Sequence, residues 1–157
     1  MCFSVVPDTN VVIARALTKH PKSPNHQFFR RFKDGEFEWL YSNDTLLEYI
    51  RKLTELGLEP AWIEQFIANI IVAANAVNVP IIHFHLEIYP VDERDICFLL
   101  CAINGKATHI ITYDIHFLSI ADEIKSIFSI EVCKPIDFLK SLRKKKGRGA
   151  VLWTTQC

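Results

Sequence analysis

The feature that most constrains this chain is an alternation. Short apolar runs are each followed by a helical stretch, and two of the runs end directly on an aspartate. Phe3–Val6 reads as a strand that meets Pro7-Asp8, and Thr9–Thr18 then carries Val12, Ile13, Ala16 and Leu17 at helical spacing. Phe28, Phe29 and Phe32 mark a second helix, stopped by Asp34-Gly35. Glu38–Ser42 reads as a strand, and Leu46, Ile50 and Leu53 carry a helix to Gly57. Pro60 opens a helix bearing Ile63, Phe66, Ile67, Ile70 and Ile71, and Val79–Leu86 is expected to be extended. A helix from Asp92 to Asn104-Gly105 precedes the strand His109–Tyr113, which ends on Asp114. A helical turn from Ile115, a last strand Phe128–Cys133 and a last helix from Pro135 complete the series. Strands that alternate with helices favour an α/β fold with a parallel sheet.

Ligands of open parallel sheets bind beyond the carboxyl ends of the strands. Asp8 and Asp114 each follow a strand, so both fall on that edge. Asp95 lies near the start of the helix leading into the second of these strands. Glu48 lies one turn inside the helix that leaves Glu38–Ser42, within reach of the same edge. Four converging carboxylates repel one another, and a hard cation such as Mg²⁺ or Mn²⁺ resolves the repulsion. Such a centre suits phosphodiester hydrolysis, because the metal activates water and neutralises charge on the phosphate and the leaving oxygen. Each acid also has a purely structural reading. Asp8 and Asp114 precede helices and can be N-caps. Asp92 and Asp95 can be the cap and third residue of one helix. Glu48 shares a helix with Arg51, Lys52 and Glu55, where it can be a solvated partner charge.

The 157 residues suit one domain, and 50% hydrophobic content excludes a disordered chain. The 18 basic and 18 acidic residues cancel, but five of the basic ones fall between Arg143 and Cys157, where there is no acid. The chain is therefore an acidic body with a basic tail, expected to be flexible from residue 143 onward. The five cysteines show no disulfide spacing, so free thiols in a reducing cytoplasm are expected. Cys97 and Cys101 share a helix face, and His83 and His85 a strand face. Neither pair has a partner at zinc-finger spacing. The uncharged run Gln65–Leu86 contains Asn69, Asn75, Asn78, Pro80, His83 and His85, which fits a buried helix and strand rather than a membrane span. No membrane association is expected, and the first residues show no signal-peptide pattern.

Four segments, in order, resemble the motifs of PIN-domain ribonucleases. They are Pro7-Asp8-Thr9-Asn10-Val11, Ser42–Tyr49 with Glu48 at the acidic position, Asp92–Leu99 followed by Ala102 and Gly105, and Ile110–Leu118. The match covers roughly residues 4–142 and is similar to the VapC-type toxin branch of bacterial toxin–antitoxin systems. The resemblance implies a three-layer α/β/α sandwich with a central, mostly parallel sheet over residues 1–142. It implies metal-dependent RNA cleavage, with Asp8, Glu48, Asp95 and Asp114 as metal-binding acids and Thr9, Asn10 and Thr112 in support. It also implies a homodimer and an antitoxin partner whose Arg or Lys would suit clustered carboxylates. Arg94 stands where many relatives carry an acid, and Tyr113 where a small residue is frequent.

On this reading Arg51, Lys144 and Lys145 are candidates to hold the RNA backbone, and His116, beside Asp114, to touch substrate. The alternative is a non-catalytic PIN-like module that binds RNA or protein. All four acids are present, which favours the enzyme. A phosphate-receiver domain, suggested by Lys134-Pro135, lacks the paired acids after the first strand. A dehalogenase-type phosphatase fails because Asp8-Thr9-Asn10 is not Asp-x-Asp.

Overall fold

The computed structural model describes residues 2–149. Its elements run in chain order β1 (Ser4–Pro7), α1 (Thr9–Leu17), α2 (Pro24–Lys33), β2 (Glu38–Tyr41), α3 (Asn43–Glu55), α4 (Pro60–Ile71) and β3 (Ala76–Asn78). A 3₁₀ turn (Glu93–Asp95) leads into α5 (Ile96–Asn104), β4 (His109–Ile111), α6 (Ile115–Ser119), α7 (Ala121–Phe128), β5 (Glu131–Cys133) and α8 (Pro135–Gly149). The five strands form one parallel sheet in the order β3-β2-β1-β4-β5, layered between helices as an α/β/α sandwich. Val5 lies beside Trp39 of β2 on one side and His109 of β4 on the other. From β1 the chain adds strands first toward β2 and β3, then toward β4 and β5. The order therefore reverses between β1 and β4, which is the switch point where open α/β sheets bind ligands.

Val5, Val6, Ile110 and Ile111 are fully buried, because helices cover a parallel sheet on both faces. The aromatic side chains pack together within the same core. Phe37 meets Phe28 at 4.9 Å and Phe138 edge-on at 5.1 Å, and Phe32 meets Trp39 at 5.1 Å. Phe28 and Phe138, 5.8 Å apart, hold α8 against α2.

Several boundaries differ from the sequence expectation. The strand expected at Val79–Leu86 lies earlier, at Ala76–Asn78. Val79 N still donates to Tyr41 O at 2.7 Å, but Pro80 has no N–H with which to extend the ladder. Beyond it, Asn104 fastens the chain by accepting from Ile82 N and His83 N at 2.9 and 2.8 Å. Phe128 closes α7 rather than opening a strand, and Ser129 turns the chain at φ 61° before β5. The boundary expected at residue 142 falls inside α8. Lys and Arg are good helix formers, and here they also find partners. Arg143 donates to Gln27 at 3.1 Å, Lys146 pairs with Glu36 at 2.9 Å, and the Lys145 ammonium lies 4.8 Å over the Phe3 ring. The remainder of the expected tail, residues 150–157, lies outside the described residues. Cys97, Cys101 and Cys133 are free thiols, whereas Cys2 is disulfide-bonded, contrary to the expectation for all five.

Gly105, at the end of the third motif, is required by close approach. A Cβ there would stand 2.8 Å from Leu40 Cδ1, 2.9 Å from Val79 Cγ2 and 3.0 Å from Cys101 O. Gly105→Ala is expected to lower stability by about 1–3 kcal/mol, read from the urea midpoint at unchanged m-value.

Candidate active site

Asp8 sits where β1 becomes α1. Asp8 N donates to Ile111 O at 2.8 Å, which carries the β1–β4 pairing one residue past the strand. Its side chain caps α1, with Oδ1 accepting from Thr9 N at 2.6 Å. Oδ2 accepts from the Thr112 hydroxyl at 2.7 Å. The residue is only 3% exposed. Burial pushes its carboxyl up to about 6, against the hydrogen bonds from Thr112 and Thr9, and the charges of Asp114 and Glu48 add to the rise.

Thr112, fully buried, joins the two strand ends. Besides donating to Asp8, its Oγ1 accepts from Asp114 N at 2.9 Å and from Asn10 Nδ2 at 3.4 Å. Asn10 Oδ1 in turn accepts from Tyr113 N at 3.1 Å. Asp114 caps α6 by accepting from His116 N at 2.8 Å. Asp95, 8% exposed, closes the 3₁₀ turn on the same edge. Its carboxyl rises to about 7 through burial, the charges of Asp8, Asp114 and Asp92, and a hydrogen bond with the Asp114 side chain. Asp8, Asp95 and Asp114 thus form one coupled group at the switch point. The capping readings of Asp8 and Asp114 hold as well, so one residue both starts a helix and presents charge.

Glu48 reaches the same edge, where its charge is felt by Asp8, but both its oxygens are engaged by Arg51, at 2.6 and 2.9 Å. Arg51 also pairs with Glu55. The structure therefore places Arg51 as the counter-ion of Glu48. Lys144 and Lys145 are not brought to the acids. Lys145 covers Phe3, five residues before Asp8 and about 16 Å away along an extended strand, at the opposite edge of the sheet. His116 is exposed beside Asp114, with its backbone N–H committed to that carboxylate.

Sequence reasoning missed Tyr49 and the Tyr113–Asn25 contact. Tyr49 is fully buried beneath the site, and its hydroxyl donates to Pro7 O, fixing the backbone just before Asp8. Thr45, Tyr49 and Leu53 form the buried stripe of α3 at four-residue spacing, and a tyrosine in such a stripe needs an acceptor for its hydroxyl. The Tyr113 hydroxyl donates to Asn25 Oδ1 at 2.6 Å, tying the loop before Asp114 to the start of α2. Nothing local in the sequence announces that long-range contact.

Among the described residues, no three His, Cys, Asp or Glu side chains stand close enough to hold an ion between them. That applies also to Cys97, Cys101, His83 and His85. The acidic edge nonetheless fits a hydrated Mg²⁺ or Mn²⁺. Mg²⁺ keeps several waters and takes one or two carboxylates from the protein. The oxygen-only donor set has the right hardness, and the charges of neighbouring acids add to the burial that raises the Asp8 and Asp95 carboxyls. The buried Thr9 hydroxyl, which has no hydrogen-bond partner among the described residues, is a further oxygen able to bind an ordered water.

The PIN-domain family model matches residues 4–116. The chain therefore belongs to the PIN-domain family, whose members are generally nucleases that use divalent metal ions. No curated protein matches this chain. Among the described residues no helix is long and apolar enough to cross a membrane.

Proposed function

We propose that the protein is a Mg²⁺- or Mn²⁺-dependent endoribonuclease, the toxin of a toxin–antitoxin pair acting in the cytoplasm. The observation that carries this reading is the coupled Asp8–Asp95–Asp114 group at the β1/β4 switch point. Asp8 and Asp114 would hold the ion, with Asp95 beside them and Glu48 acting directly or through water. When bound, the ion lowers the pKa of water and offsets phosphate charge. Thr112 orients Asp8 by its hydrogen bond and aligns the Asp114 backbone with it. Asp95, buried on the same edge, would accept the proton of the attacking water on a carboxylate oxygen. An antitoxin would place an Arg or Lys among these acids. A homodimer would cover the exposed Leu47, Phe84, Tyr89 and Val91.

The test is incubation with single-stranded and structured RNA. Cleavage is expected with millimolar Mn²⁺ or Mg²⁺ and not with EDTA, and equal cleavage in both would sink the metal assignment. Light scattering reads the dimer, and co-expression with the product of the neighbouring reading frame reads the antitoxin.

The Glu48–Arg51 pairing favours a second reading, a non-catalytic PIN-like module that binds RNA or protein, because it neutralises one of the four acids. That module would show no thermal stabilisation by millimolar Mn²⁺, whereas the enzyme is expected to gain several degrees.

A further inference from the structure

We propose that the groove between α2 and α4 is a nucleotide subsite, in which a base of single-stranded RNA stacks on Trp62 while its phosphates meet Arg15 and Lys33. The inference rests on the ribonuclease reading and names where the RNA lies beyond the acids. The groove encloses about 210 Å³, and none of the residues lining it is acidic.

Three kinds of group meet there. Trp62 stacks on Phe66 with ring centres 5.0 Å apart and planes within 10°, and it is 40% exposed. A rigid aromatic step of this kind is the sequence-tolerant element of single-strand recognition. Gln65 and Asn69, one turn apart and joined at 3.2 Å, line the same cavity and offer amide donors and acceptors to a base edge. Arg15 lies 5.9 Å over the Phe29 ring, and Lys33 stands at the end of α2. Among the described residues neither Arg15 nor Lys33 forms an ion pair. Of the two acids that follow α2, Asp34 is its C-cap, and Glu36 is held by Arg31 at 2.7 Å and Lys146 at 2.9 Å. Desolvation and the charges of Arg15, Arg30 and Lys33 all lower His26, so the three cations act on one locality.

The groove is also joined to the acidic edge. Asp8 and Arg15 lie at the two ends of α1, seven residues and nearly two full turns apart, hence on the same side and about 10 Å from each other. That is about three nucleotides at stacked spacing. The Tyr113–Asn25 hydrogen bond fixes α2 to the loop that carries Asp114. Two cations without ion pairs and a pair of amides around one aromatic step suit a nucleotide better than the apolar face of a helical peptide.

The test is binding of fluorescein-labelled ten-nucleotide RNA to the full chain in EDTA, read by anisotropy over a salt series. Trp62→Ala is expected to weaken binding about 5–100-fold with the salt slope unchanged, and Trp62→Phe to restore much of it. Arg15→Gln with Lys33→Gln is expected to lower the salt slope by about 1–2. If these variants keep the wild-type melting temperature and bind RNA as wild type does, the subsite is overturned. Trp62-dependent binding of an apolar helical peptide without RNA binding would overturn it in favour of a protein partner. Trp62-dependent RNA binding by a chain that cleaves nothing in Mn²⁺ would support the subsite and sink only the nuclease reading.

Discussion

Asp8→Asn is expected to abolish RNA cleavage and, in the absence of metal, to make the protein more stable at neutral pH. The loss of activity is on the order of 10³-fold, the several kcal/mol that a bound metal supplies to the transition state. The gain in stability follows from the sign of the shift. The Asp8 carboxyl rises from 3.8 to about 6 in the fold, so the folded state favours its neutral form. That preference contributes fully below 3.8 and is lost as pH rises through 6. At pH 7.5 the ionised group therefore costs roughly 3 kcal/mol, at about 1.4 kcal/mol per pKa unit. Asparagine removes the charge and still caps α1. It accommodates the Thr112 hydroxyl less well, which returns part of the gain. A net rise of about 1–2 kcal/mol corresponds to roughly 2–8 °C for a chain of this size. The melting temperatures of the two proteins should converge as pH falls toward 3.8. Mn²⁺ should stabilise the wild type and leave the variant unmoved. A variant no more stable than wild type at pH 7.5 would show that the acidic edge is not the strained group described.

That expectation depends on details of very different legibility. Asp8 and Asp114 could be read from the sequence because each follows an apolar run, and a parallel sheet sends both run ends to one edge. The sheet order could not be read, since nothing in β3 or β5 says which neighbour it takes. Glu48 was legible as an acid near the edge. Its engagement by Arg51, three residues on, was legible as an alternative, and the sequence left the choice open. The basic stretch misled because composition reports charge and not direction. Arg143 and Lys146 continue α8 to meet Gln27 and Glu36, and this carries Lys145 to the opposite edge of the sheet from the acids. The Trp62 groove was invisible for a related reason. Its walls come from α1, α2 and α4, and only the packed fold sets Arg15 beside a helix some fifty residues later. Charges and strand ends are local properties, whereas pairing and grooves are made by contacts between distant segments.

Thr112→Val tests the most connected residue of the site and separates positioning from chemistry. Valine keeps the shape of threonine and removes three hydrogen bonds at once. Asp8 Oδ2 loses its donor at 2.7 Å, and Asp114 N and Asn10 Nδ2 lose an acceptor. Since Thr112 is fully buried, water cannot readily replace them. A buried group left unsatisfied costs about 1–3 kcal/mol, so a loss of about 2–4 kcal/mol is expected for the set. The Asp8 carboxyl should rise further, because the Thr112 hydrogen bond is the largest of the influences holding it down. The Mn²⁺ concentration needed for half-maximal cleavage should then increase about 10–100-fold, the usual effect of removing a group that orients a metal ligand. Raising the pH should recover part of the activity, since it restores the Asp8 carboxylate. Thr112→Ser keeps the hydroxyl and should restore metal affinity while leaving a small packing defect. If valine lowers stability but leaves the metal dependence and its pH profile unchanged, Thr112 is a packing residue only. The geometry argues otherwise: one hydroxyl lies between the side chain of Asp8 and the backbone of Asp114, which are the ends of two adjacent strands. The spacing of the two acids is thus set by the pairing of β1 with β4, and Thr112 transmits that pairing to the carboxylates.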